Sequence, residues 1–117
     1  MRPTVLIVDD HAEFRGSASE LLEAEGFDVV GAADDAARAV ELALRLRPQV
    51  VLLDVQLPDG DGFAVAARLA QEAPPPQVVL ISSREAVAYG RRVADAPVRG
   101  FIAKRDLTGA ALAALVS

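Results

Sequence analysis

Val50-Val51-Leu52-Leu53-Asp54 is an aliphatic run that ends abruptly in a carboxylate. A strand with one face in water alternates apolar and polar residues, whereas a strand covered on both faces stays apolar throughout. This run therefore reads as the centre of a parallel sheet with helices above and below. Val5-Leu6-Ile7-Val8 and Val78-Val79-Leu80-Ile81 have the same character. Two weaker runs, Asp28-Val29-Val30 and Val98 to Ile102, bring the strands to five.

The stretches between them have helical period. Phe14, Ala18, Leu21 and Leu22 recur at helical spacing, as do Ala36, Val40, Ala43 and Leu44. Gly26 and Pro48 stop these two helices. Phe63, Ala66, Ala67 and Ala70 predict a third. Ala86 to Val93 predicts a fourth, weakened by Gly90 in its interior. Leu107, Ala111, Ala114 and Leu115 form the core stripe of a fifth, Leu107 to Ser117, leaving Leu112 and Val116 off the stripe. Strand and helix thus alternate five times. The fold class expected is α/β, a (βα)5 doubly wound parallel sheet of five strands. In such sheets ligands gather outside the carboxyl ends of the strands.

The bulk numbers fit this reading. A chain of 117 residues makes one domain, residues 1–117, and can bury a substantial core. Hydrophobic residues make up 52% and charged residues 25%, which argues against disorder. The absence of cysteine excludes a disulfide framework, a thiolate zinc site and a cysteine nucleophile. It also suits the cytoplasm, the location expected. A net charge of -5 speaks against direct nucleic-acid binding, which rests on a basic surface. No apolar run is long enough to span a membrane, and the first ten residues lack the features of a secretory signal.

The carboxyl ends carry the chemistry. The first strand ends in Asp9-Asp10, the third in Asp54, the fourth in Ser82-Ser83 and the fifth near Ala103-Lys104. Three carboxylates at one edge repel each other unless a cation sits among them or one is protonated. Carboxylate and carbonyl oxygens are hard ligands that suit magnesium. Lys104 supplies a point charge of the kind that pairs with phosphate. Any one of these Asp residues alone could be a helix cap or a turn former. Asp34 and Asp35 are read that way, and Asp10 partly so. Four strands converging with one charge pattern make capping an insufficient account of the set.

Gln56-Leu57-Pro58-Asp59-Gly60-Asp61-Gly62 is turn chemistry. Pro58 fixes φ, and Gly60 and Gly62 permit φ above zero. The loop can be an ordinary connection and can also offer the Gln56 backbone carbonyl to a metal. Asp59 and Asp61 lack the spacing of a calcium loop. His11, the one histidine, reads as a polar surface residue at a helix start rather than a ligand.

The sequence resembles the receiver domain of bacterial two-component response regulators, the CheY-like family, over essentially its whole length. The resemblance rests on LIVDDH, on Asp54 in VVLLDVQLPDGDG, on Ser82 in VVLISS, and on Phe101 and Lys104 in GFIAK. Lys104 follows Ser82 by 22 positions (104 − 82), as in such domains. VDDH followed by FR, together with GFIAK, is most similar to receivers of LuxR-type transcriptional regulators. The resemblance implies strand order 2-1-3-4-5. It implies magnesium held by Asp9, Asp10 and Asp54, and Asp54 as the phosphoacceptor. Lys104 would pair with the phosphate, Ser82 would donate to it, and Phe101 would swing inward as Ser82 moves. The implied phosphodonor is a sensor histidine kinase or phosphotransfer protein. The domain would catalyse only its own phosphorylation and dephosphorylation and is not otherwise an enzyme. Arg105 stands where the family commonly has a proline in a cis peptide. A cis bond to a non-proline residue costs about 3 kcal/mol, so a trans Lys104 loop is expected.

Three rival readings carry less. An aspartyl phosphohydrolase would want a second Asp two residues after the nucleophile, where Gln56 stands. A flavodoxin-like nucleotide binder would want a phosphate loop where Asp9-Asp10-His11 stands. A receiver-like binding module that is not phosphorylated would lack an acidic or lysine position, and none is lacking. No DNA-binding module lies within residues 1–117. Taken as a whole protein, the chain is expected to work through a partner or a second copy, on a face made by the fourth helix, fifth strand and fifth helix; taken as a fragment, its output domain lies outside this sequence.

Overall fold

The computed structural model describes residues 2–116, and the expectations that reach Met1 and Ser117 lie outside it. Five parallel strands form the sheet: β1 (Thr4–Val8), β2 (Asp28–Ala33), β3 (Val50–Asp54), β4 (Gln77–Ser82) and β5 (Gly100–Ala103). Their order in space is β2-β1-β3-β4-β5, so the chain reverses direction across the sheet between β1 and β3. The helices are α1 (Ala12–Ala24), α2 (Ala36–Leu46), α3 (Gly62–Leu69), α4 (Arg91–Asp95) and α5 (Gly109–Leu115).

The continuous apolar runs are explained by two cores, one on each face. Successive strand residues point to opposite faces. Leu6, Val8, Val51, Leu53, Val78 and Leu80 pack on Leu42, Val65 and Leu69 of α2 and α3. Val5, Ile7, Val50, Leu52, Val79 and Ile81 pack on Leu22 of α1 and Leu112 of α5. Every residue of β3 is buried, Asp54 included. Each aliphatic side chain so removed from water contributes about 1.5–3 kcal/mol. The central strands are therefore the rigid frame on which the polar edge is mounted.

Several local expectations need correction. The fourth helix is not continuous. Ala86–Tyr89 form a 3-10 turn, Gly90 takes φ 58°, and only then does the short α4 begin. Neither piece fully buries a residue, so little packing offsets the roughly 1 kcal/mol that glycine costs inside a helix. The fifth helix starts two residues later than its apolar pattern suggests. Thr108 caps it by accepting from Ala111 N at 2.9 Å. Leu107, Ala111 and Leu115 of the expected stripe pack on the core, but Leu112, placed off the stripe, is fully buried and Ala114 is exposed. In α3 the inward residues are Val65, Ala66 and Leu69, while Ala67 and Ala70 face solvent. Alanine gave that pattern weak direction, and the larger side chains decided it.

Candidate functional site

Asp54 ends β3 at the middle of the sheet, between Asp9 just past β1 and Ser82 at the end of β4. Ser82 pairs in register with Ala103, the residue before Lys104. Three adjacent parallel strands thereby deliver an acid, a hydroxyl and an ammonium to one edge, and β1 adds the second acid.

Asp9 and Asp54 are buried, whereas Asp10 is exposed. Lys104 reaches between the buried pair, with Nζ 2.5 Å from Asp9 Oδ2 and 3.2 Å from Asp54 Oδ2. Its ammonium also lies 4.8 Å from the centre of the Phe14 ring, which gives the side chain an apolar and weakly attractive floor. Asp54 Oδ1 accepts from Gln56 N at 3.2 Å. Asp9 Oδ1 accepts from His11 N at 2.8 Å, and Arg15 donates to the Asp9 carbonyl at 2.7 Å.

The electrostatics follow from this crowding. Burial, and then the charge of Asp9, push the Asp54 carboxyl from 3.8 up to about 6, against the opposing pull of Lys104 and Gln56 N–H. Burial draws the Lys104 ammonium down. Its hydrogen bond with Asp9 and the charges of Asp54 and Asp9 outweigh that and leave it above the ordinary lysine value. The lysine is thus a fixed cation, and Asp54 is the carboxylate whose charge is most costly to keep.

Ligand atoms of Asp9, Asp10, His11 and Asp54 all lie within 4.8 Å of one another. Three hard carboxylate donors so close suit a small divalent cation such as magnesium. Asp9 Oδ2 is buried and faces the Lys104 ammonium, so a metal there would share that oxygen with the lysine. The residues present therefore fit such an ion.

The expected residues Asp9, Asp10, Asp54 and Lys104 come together as the sequence implies. Ser82 is buried beside them, but its hydroxyl is engaged with Tyr89 OH at 2.6 Å and with Arg84 N at 3.0 Å. Phe101 is half-buried, its ring centre 6.0 Å from that of Tyr89. Gln56 opens a short hairpin, Gln56–Leu57 paired with Gly60–Asp61, where the sequence suggested only a turn. Among the described residues only Ala73-Pro74 is cis, so Lys104-Arg105 is trans, as expected.

Neither Gly60 nor Gly62 takes positive φ, which only Gly26 and Gly90 adopt among the glycines described. A Cβ on Gly62 would collide with the Asp54 carbonyl, and Gly62 N donates to Val55 O at 2.7 Å. β3 and α3 touch there at backbone distance. Asp10 does not cap α1; the residue before the helix is His11, and it makes no side-chain cap. His11 is drawn into the acidic group, with Nδ1 3.1 Å from both Asp9 Oδ1 and Asp10 Oδ1, although its side chain is exposed. Its position directly after the acidic pair was the available signal. Asp35 caps α2 as expected, accepting from Arg38 N. Asp59, set aside as turn chemistry, accepts from Ala36 N and Ala37 N and so ties the hairpin to the start of α2. Those two N–H groups hold the Asp59 carboxyl below its ordinary range. Tyr89 had no signal beyond being the one tyrosine.

Known proteins share this arrangement. The transcriptional regulatory protein PdtaR of Mycobacterium tuberculosis is 38% identical over 102 residues, which are 86% of this chain and 48% of that protein. The chain spans about half the length of the curated relatives it matches. The signal receiver domain of NarL from Mycobacterium tuberculosis is 33% identical with a TM-score of 0.85, covering 97% of this chain and 96% of that one. A DNA-binding response regulator of the LuxR family from Staphylococcus aureus, 20% identical with a TM-score of 0.85 over 95% of this chain and 93% of that one, shares the fold. The family model described as the response regulator receiver domain matches residues 5–115. With the acidic edge, the lysine and the strand order all falling inside that span, the chain belongs to the response regulator receiver domain family.

Proposed function

We propose that this chain is a phosphoacceptor module whose Asp54 takes a phosphoryl group from a sensor histidine kinase or a phosphotransfer protein. The observation that carries the reading is Lys104 Nζ between Asp9 and Asp54, beside three carboxylates close enough to share one cation. Phosphoryl transfer needs an in-line nucleophile and positive charge on the equatorial oxygens, and little else. An Asp54 carboxylate oxygen attacks phosphorus. The P–N bond to the donor histidine breaks, its electron pair stays on the imidazole, and an acyl phosphate forms. Asp9, Asp10 and Asp54, with the Gln56 backbone carbonyl, hold magnesium, which when bound neutralises charge on the phosphoryl oxygens. Lys104 pairs with the new phosphate and Ser82 donates its hydroxyl to it.

The domain acts on itself alone, and its product is a changed surface rather than a released molecule. That surface is α4, β5 and α5, and it meets a partner protein or a second copy of the chain. No described helix is long and apolar enough to cross a membrane, and a cytoplasmic location is part of this proposal. Mass measurement after incubation with acetyl phosphate and magnesium tests the reading. Wild type gains one hydroxylamine-labile phosphoryl group, and Asp54→Ala gains none. Full uptake by Asp54→Ala, or none by wild type, rejects it.

A further inference from the structure

The Ser82 hydroxyl is the one group at the acidic edge that is tied to a movable part of the molecule. It has one proton and two lone pairs to offer. Arg84 N–H takes one lone pair at 3.0 Å. Tyr89 OH, 2.6 Å away, takes either the proton or the other lone pair. Either way the oxygen is anchored on the side of residues 84–89.

Tyr89 is itself held as an aromatic unit. Its ring stands edge-on to Phe63 with centroids 5.9 Å apart, and tilted against Phe101 at 6.0 Å. Arg92 covers the far partner, 4.2 Å above the Phe63 ring, and lies 3.6 Å from Asp61 in the acceptor loop. Yet the backbone that carries Tyr89 is loosely built. Tyr89 ends a 3-10 turn, Gly90 follows at positive φ, and no residue from 83 to 101 is buried.

We propose that Tyr89 is a positioning residue that latches Ser82 in the unphosphorylated receiver. The phenol holds the Ser82 oxygen on the side of residues 84–89, so Ser82 reaches a phosphoryl oxygen on Asp54 by turning away from Tyr89. The energy of the new bond is then partly spent on releasing Tyr89, and residues 84–95 become the segment that moves. The latch also explains why the ring touches Phe101: loss of the hydroxyl partner frees a side chain already packed on the residue whose motion is implied. This inference rests on Asp54 being the phosphoacceptor.

The test uses beryllofluoride with saturating magnesium as the phosphoryl mimic, with bound fluoride read by 19F NMR. Tyr89 is the only tyrosine in a chain without tryptophan, so the intrinsic fluorescence of wild type reports on it alone. That fluorescence should change as beryllofluoride binds. Tyr89→Phe keeps the ring and loses the hydroxyl, and should bind beryllofluoride roughly two- to tenfold more tightly, the range of one net hydrogen bond. In a Ser82→Ala background the same substitution should bring no gain, which separates the latch from a general effect on packing. Bound fluoride with unchanged tyrosine emission, or equal or weaker affinity in Tyr89→Phe, overturns the latch alone. No bound fluoride in wild type overturns the phosphoacceptor reading, and with it the latch as a brake on that step.

Discussion

The ends of β1 and β3 and the segment from Arg84 to Arg99 lie side by side and are built in opposite ways. Asp9 and Asp54 ride on strands whose every aliphatic residue from 5 to 8 and from 50 to 53 is buried. The neighbouring segment fully buries no residue, changes helix type halfway, and carries a glycine at φ 58°. On the function proposed above, phosphoryl chemistry that depends on close placement of charge uses the first, and a reversible response uses the second. Tyr89 bridges the two, since its backbone is in the loose part and its hydroxyl meets Ser82 on a buried strand.

The largest effect that would break this contrast is in stability. Leu52→Ala removes a fully buried side chain and should cost about 2–5 kcal/mol. Val87→Ala, at a side chain 85% exposed, should change stability by less than about 0.5 kcal/mol. Urea titrations of both variants measure the two numbers directly. Comparable losses would mean that the segment shares the core after all.

The sequence made the rigid half legible and left the loose half obscure, for a physical reason. The runs at Val5, Val50 and Val78 are strong because burial on both faces demands an aliphatic residue at every position, and their terminal polar groups, Asp9, Asp54 and Ser82, follow directly. The grouping of Asp9, Asp10, Asp54 and Lys104 was therefore recoverable, while the strand order came from the family resemblance. Where packing demands little, pattern carries little. Ala86 to Val93 looked helical because alanine and valine are compatible with a helix, but nothing there is buried to enforce one. In α5 the pattern missed the buried Leu112 and placed the exposed Ala114 inside. The Ser82–Tyr89 bond joins an end of β4 to a turn of undefined register, and no spacing rule announces such a contact.

A second effect concerns the charge stored in the rigid half. Asp54 has a folded value of about 6 against 3.8 unfolded, so the folded protein takes up its proton first as pH falls. Above about pH 6 the folded state carries a carboxylate it would release at a gain. From about pH 6 down to about pH 4 this penalty fades, and below both values it is gone. Asp54→Asn should therefore be more stable than wild type at pH 7, by on the order of 1–3 kcal/mol. The difference should shrink towards pH 4. Thermal melts at pH 7 and pH 4.5 check the sign, and a gap that widens on acidification would contradict it. Magnesium should raise the wild-type midpoint by binding the folded state, and do so less for Asp54→Asn.

The smallest effect sharpens the contrast most, because it acts only in the loose half. A Cβ on Gly90 meets nothing within 4 Å, so Gly90→Ala introduces no clash with the rest of the fold. Its cost is the backbone conformation alone, φ 58° and ψ −133°, which residues with a side chain rarely adopt. Such strain is worth about 1–2 kcal/mol when the surroundings enforce it. Here no residue from 83 to 101 is buried, so the chain can relax locally for less than that. The global midpoint should then move little, by about 1 kcal/mol or less, while the segment itself loosens. Hydrogen exchange should show faster amides between Arg84 and Ala96 and unchanged protection in β1 and β3. If β3 loses protection in parallel with the segment, the two regions unfold as one unit and Gly90 is not a local pivot. If the segment alone loosens, Gly90→Ala should also weaken the hold of Tyr89 on Ser82, and beryllofluoride affinity should rise in the same direction as for Tyr89→Phe.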